Sequence, residues 1–148
     1  MDWETCKHAF ESDSFPRYIR AQALTLAHWN RYYRLLRKTQ AVLRFYKDGE
    51  PESLPDRLTD APFASRHRFM LVVDLAGLKL IWRLREVRDL QFEFAPEAIH
   101  SPERAVLLFR IMTTLGRRLK REVLLTHPYH GDVLFRYDPD SGQLQGPG

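Results

Sequence analysis

Two hydrophobic periods divide the chain. Between Pro16 and Lys47 the apolar positions recur at helical spacing: with about 100° per residue, Leu26, Trp29, Tyr33, Leu36 and Leu43 share one side with Gln22. Arg20, Arg31, Arg34 and Lys38 fall nearly opposite. This pattern predicts one long amphipathic helix with a basic outer stripe. Ser14 and Pro16 supply a start, and Asp48-Gly49 followed by Pro51 supplies a stop. Ahead of it, Trp3, Cys6, Ala9 and Phe10 fit a short helix over 2–11 capped by Asp2.

From Arg68 onward the period shortens to two. Phe69–Leu75 is apolar on both faces except at Asp74, as in a central strand, whereas Leu78, Leu80, Trp82 and Leu84 alternate with Lys79, Arg83 and Arg85. Asp74-Leu75-Ala76-Gly77 places Asp first and Gly fourth, as a type I turn favours, so these two strands are expected to form a hairpin. Leu90, Phe92 and Phe94 add a third strand. The intervening stretch 48–67, with Pro51, Pro55 and Pro62, reads as a surface excursion pinned by Leu54, Leu58 and Phe63, in which Pro55 opens a helical turn.

The helical period then returns. Ser101-Pro102-Glu103 combines a capping hydroxyl, a proline at the first position and an acid at the positive end of the dipole. Ala105, Leu108, Met112, Leu115 and Leu119 form its apolar face, with Arg110, Thr114, Arg117 and Arg121 opposite. Two further strands follow at 123–126 and 133–137, and 143–148 is expected to fray. The resulting expectation is a single α+β domain over 1–148. Its parts are a long N-terminal helix, a three-strand antiparallel meander, a second helix and two further strands, with the helices packed on one face of the sheet. Leu80, Trp82, Phe92, Leu108, Met112 and Leu115 are its expected core.

Composition excludes more than it suggests. The hydrophobic share of 44% and charged share of 28% are those of an ordinary globular chain, not a disordered one. One cysteine, Cys6, leaves no intrachain disulfide or cysteine-rich zinc site and points to a reducing, cytoplasmic setting. No apolar run follows Met1, so no signal peptide is expected, and no run approaches the roughly 20 residues of a membrane span.

Charge supplies the only positive lead. The net charge is +4, and from 17 to 47 the bases Arg17, Arg20, Arg31, Arg34, Arg37, Lys38, Arg44 and Lys47 meet no acid. The stretch 104–121 repeats the imbalance. Part of that second cluster complements the negative end of a helix dipole. The rest suits an acidic partner, and Arg20, Arg31, Arg34, Lys38, Arg110, Arg117 and Arg121 are the candidate partner-binding residues.

Catalytic signatures are lacking. The seven glycines are scattered, so neither phosphate-loop pattern occurs, and neither H-E-x-x-H nor G-x-S-x-G is present. His127, His130 and Asp132 on one loop could meet a metal, but a polar loop tip produces the same letters. Trp29-Asn30-Arg31-Tyr32-Tyr33-Arg34 could stack bases and hold phosphates, although Trp29 and Tyr33 lie on the expected core face. The order helix, three strands, helix resembles the double-stranded-RNA-binding domain in topology only, since Pro102-Glu103 stands where that family carries lysines.

The sequence is therefore read as a non-catalytic cytoplasmic module that needs no cofactor or metal and covers an acidic protein, as immunity or antitoxin proteins do. Nucleic-acid binding through the basic helix faces and a metal-dependent enzyme built on His127, His130 and Asp132 are the alternatives.

Overall fold

The computed structural model describes residues 2–129 and 131–146. In chain order its elements are α1 (Trp3–Cys6), a 3-10 turn (Lys7–Phe10), β1 (Arg17–Gln22), α2 (Leu26–Lys38), β2 (Val42–Lys47), β3 (Glu50–Glu52), α3 (Ala61–Ala64), β4 (Phe69–Leu75), β5 (Leu78–Arg83), β6 (Asp89–Phe94), a 3-10 turn (Pro96–Ala98), α4 (Pro102–Leu119), β7 (Val123–Thr126), β8 (Val133–Asp138) and β9 (Gln143–Gln145). The fold is α+β with antiparallel strand pairing. It divides into two compact units, Met1–Ala21 with Glu93–Gly148, and Gln22–Phe92.

The long N-terminal helix is replaced by strand, helix and strand. In β1, Arg17, Ile19 and Ala21 point inward and alternate with Tyr18, Arg20 and Gln22, a period of two disguised because its inward set begins with an arginine. Ala23, at φ 60°, turns the chain out of the strand. Helix α2 starts where His28 Nδ1 accepts the Thr25 backbone N–H at 2.9 Å, doing what a Glu does in a capping box. It ends at Thr39, whose hydroxyl donates to Leu36 O at 2.7 Å.

In the unit Gln22–Phe92 the strand order is β3-β2-β4-β5-β6. The anticipated three-strand meander is thus too small a sheet, because β2 and β3 extend it. Asp48-Gly49 is no helix stop. It joins Lys47 to its partner Glu50 with φ values of 51° and 82°, as the two central residues of a type I′ hairpin turn require. The turn after β4 is corrected in the same sense. Leu75 pairs with Leu78, leaving Ala76 and Gly77, at φ 50° and 86°, as a two-residue loop whose Gly77 N–H is accepted by Asp74 Oδ1 at 2.9 Å. A type I turn would splay strands with this twist.

The register Phe45↔Leu71↔Trp82 puts the large side chains on one face, which α2 covers. Trp29 stacks on Trp82 at 4.9 Å and Tyr32 meets the Phe92 edge at 5.9 Å. The excursion 53–60 is tied to α2. Asn30 Nδ2 donates to Leu58 O at 2.9 Å and Asn30 Oδ1 accepts the Leu58 N–H at 2.7 Å, while the Tyr33 hydroxyl donates to Pro55 O. Leu58 is buried as expected, but the helical turn lies at Ala61–Ala64, not at Pro55.

In the other unit the order is β1-β7-β8-β9, and Ile19, Leu125 and Phe135 form one cross-strand row. Helix α4 lies on β7 and β8. Ser101 Oγ accepts the Arg104 N–H at 3.3 Å, and Lys120 closes the helix in the left-handed region. Residues 143–145 are not frayed but pair with β8 as β9. All six expected core residues are fully buried.

Candidate binding groove on α4

Helix α4 presents two stripes. One is the core stripe just described. The other, Pro102, Val106, Phe109, Arg110, Thr113 and Arg117, recurs every three or four residues and faces a groove of about 370 Å³ whose opposite wall is Trp3 and Cys6 of α1. Val106 is 52% exposed and lines this groove together with Phe109 and Ala105, which makes its floor apolar. Arg110 and Arg117 stand on the same stripe and are exposed. The groove therefore combines an apolar floor with two guanidinium groups.

What holds α1 in place lies further along the chain. Phe10 stacks on Phe135 at 6.2 Å, and Phe135 packs against Phe109 of α4 at 4.8 Å. Arg17, almost fully buried, holds the segment between. Its Nε donates to Ala9 O at 2.8 Å, Nη2 to Glu11 O at 3.0 Å and Nη1 to Phe15 O at 3.1 Å, with the Asp13 carboxylate as counter-ion at 3.1 Å. A buried charge is tolerable only when paired and hydrogen-bonded, and here both conditions are met. The hydrogen bonds from Arg17, and then from His127, hold the Asp13 carboxyl well below the usual carboxylate range. Burial pushes the Cys6 thiol up, so it stays protonated and weakly reactive on the groove wall.

The candidate metal loop is employed differently. His127 Nδ1 accepts the Tyr129 N–H at 3.2 Å, which assigns the ring proton to Nε2, and Nε2 donates to Asp13 Oδ2 at 2.7 Å. Neither ring nitrogen has a lone pair to spare. Asp132 engages the loop through its backbone oxygen, which accepts the His127 N–H at 3.0 Å, and His130 lies outside the described residues. Among the described residues no group of three or more His, Cys, Asp or Glu side chains could hold a metal ion. Trp29 and Tyr33 are fully buried, which removes their rings from any base-stacking surface.

The candidate partner-binding arginines are scattered over different elements. Arg31, Arg34 and Lys38 are exposed on α2; Arg20 is half-buried on β1, so the stripe of four does not exist as one helix face. Arg110 and Arg117 are brought together by α4. Arg121 lies past its end, half-buried, with its guanidinium donating to Lys120 O at 3.1 Å. Sequence reasoning missed Trp3 and Phe109 at this site, and it counted Arg17 only in the basic excess of 17–47. The heptad-like recurrence of Val106, Phe109 and Thr113 beside Arg110 was the available signal for the groove stripe. Comparison with protein-family models, curated proteins and solved structures finds no match to this chain. No helix among the described residues is long and apolar enough to cross a membrane.

Proposed function

We propose that this chain is a non-catalytic protein-binding module and that the groove between α1 and α4 receives an acidic, partly apolar segment of a partner protein. The observation that carries the reading is Val106, exposed on the α4 stripe that continues through Arg110 to Arg117, in a groove walled by Trp3. Tryptophan and arginine around an apolar floor are the residue types in which binding energy concentrates. An aliphatic or aromatic side chain would fill the floor, and flanking carboxylates would meet the guanidinium groups, steering encounter and fixing orientation. A module of this kind acts by covering its partner, as immunity and antitoxin proteins do. Cys6, a single buried thiol, suits a reducing compartment such as the cytoplasm.

The test is selection from a displayed library of randomised helical peptides, followed by fluorescence anisotropy on the enriched sequences. The selected peptides should pair Asp or Glu with a Leu, Phe or Trp anchor. Their affinity should fall at least about tenfold in Arg110→Glu/Arg117→Glu, in a protein whose melting temperature is unchanged. Peptides without an acidic bias, or equal binding by the double reversal, would remove this groove from the functional argument. Arg31→Glu/Arg34→Glu, on α2, serves as the comparison and should leave peptide binding unaltered.

A further inference from the structure

A second, larger concavity lies in the unit Gln22–Phe92, at the ends of β4 and β5. It has a volume of about 760 Å³, within the range of small-molecule sites. Four arginines line it: Arg66 and Arg68 from the segment entering β4, and Arg83 and Arg85 from the end of β5 and just beyond. The antiparallel register, in which Met70 pairs with Arg83, brings these distant pairs to one place. Arg66, Arg68 and Arg85 are exposed.

The lining has only one carboxylate among the described residues, and that one is already engaged. Asp48 Oδ1 accepts the Arg68 N–H at 2.8 Å and Oδ2 faces His67 Nδ1 at 2.6 Å. Asp48 thus serves the local backbone and His67, and the exposed Arg66, Arg68 and Arg85 bring guanidinium charge to the cleft. Gathering like charges in a concave, partly apolar site is unfavourable in the empty protein, and a bound anion relieves it. Guanidinium forks match phosphate oxygens in geometry as well as charge.

The rest of the lining narrows the ligand. Phe63 meets the Trp29 ring edge-on at 4.9 Å, and Phe69 stacks on Phe45 at 5.7 Å, so both rings are held by the core. Each is nonetheless only half-buried and lines the cleft. Fixed aromatic faces beside phosphate-binding forks are what a planar base with a phosphate tail requires. A bounded cleft also suits one such unit better than a strand, which needs a groove continuing in both directions.

We propose that the cleft lined by Arg66, Arg68, Arg83 and Arg85 is a binding site for a nucleoside phosphate, with the exposed Arg66, Arg68 and Arg85 taking the phosphates and Phe63 and Phe69 taking the base. The site stands on residues of one unit and the α4 groove on residues of the other, so neither proposal depends on the other.

Isothermal titration with ATP, ADP, AMP, adenosine and inorganic pyrophosphate tests it, alongside a single-stranded decanucleotide. Affinity is expected to fall in the order ATP, ADP, AMP, adenosine. Pyrophosphate should bind at least about tenfold more weakly than ADP for want of stacking. Arg66→Ala/Arg85→Ala, both at exposed positions, should weaken ATP at least about tenfold without changing the melting temperature, and Arg110→Glu/Arg117→Glu should not weaken it. Any of four results overturns the proposal: no binding of any nucleotide at millimolar concentration; pyrophosphate binding as tightly as ADP; equal ATP affinity in the folded double variant; or the decanucleotide binding more than about a hundredfold tighter than ATP, which would make the cleft part of a nucleic-acid path.

Discussion

Gly116 lies in the last turn of α4 at its contact with β8, and a methyl group there would overlap Cδ1 and Cε1 of the Tyr137 ring. On helix propensity alone, Gly116→Ala should stabilise by about 1 kcal/mol. The packing argument predicts the opposite sign. Tyr137 is 2% exposed, so its ring has no open space to enter, and the overlap is with the ring's near edge and not with a flexible chain end. Helix and strand would have to separate by about 1 Å or more to reach ordinary contact distances. Overpacking of this kind costs about 1–3 kcal/mol, and in a contact this close we take the upper end, which leaves a net loss of about 2 kcal/mol after the propensity gain. For a chain of this size that corresponds to about 6 °C in melting temperature.

The assay is thermal and urea unfolding followed by tryptophan fluorescence. A second background makes the cause specific. In Tyr137→Val the ring is gone, so introducing Gly116→Ala should be neutral or stabilising, giving a coupling well above the roughly 0.5 kcal/mol expected of independent sites. A rise in melting temperature on Gly116→Ala in the otherwise unchanged protein would refute the reasoning, as would additivity of the two substitutions.

The clamp around Arg17 predicts a pH dependence. The Asp13 carboxyl is depressed in the folded state relative to an unfolded value of about 3.9, so its contribution is complete above that value and is lost as pH falls below it. The urea midpoint of the unaltered protein should therefore fall below about pH 4 more steeply than that of Asp13→Asn, and parallel acid limbs would count against the clamp. Asn30→Ala removes both hydrogen bonds to Leu58 and leaves its backbone groups short of partners, at an expected cost of about 1–3 kcal/mol. Hydrogen exchange at the Leu58 amide should accelerate in that variant, and unchanged exchange would show that the excursion is held by other contacts.

The elements legible in the sequence were those whose pattern belonged to them alone. Helix α4 carried its own cap, its own proline and an apolar stripe, β4 was an apolar run but for Asp74, and β5 and β6 alternated; each formed where the pattern put it. The stretch 16–47 misled because Leu26, Trp29, Tyr33, Leu36 and Leu43 satisfy a helical period although strand, helix and strand divide that stretch. The signals against a single helix are local. Asp48-Gly49 between alternating residues is a hairpin signal, and β-branched and aromatic residues crowd 42–46, but both were subordinated to the apparent length of the helix.

The same error governed the reading of charge. Bases at helical spacing on one helix make a surface, whereas the same bases divided among β1, α2 and β2 do not share one helix face. Arg17 shows how far the meaning of a single charge can change. Counted with the exposed bases, it argued for a partner. Buried at 2% exposure and bonded to four backbone carbonyls and Asp13, it instead fixes the N-terminal segment through which α1 reaches α4. Its positive charge is neutralised inside the protein and contributes little to any surface field. The arginines that converge on a concavity beside apolar side chains are Arg110 and Arg117, on the stripe that carries Val106, and Arg66, Arg68, Arg83 and Arg85, in the cleft lined by Phe63 and Phe69. The first set was legible because one helix carries both residues. The second was not, because its two pairs meet only through the antiparallel register of β4 and β5, which periodicity within either strand cannot reveal.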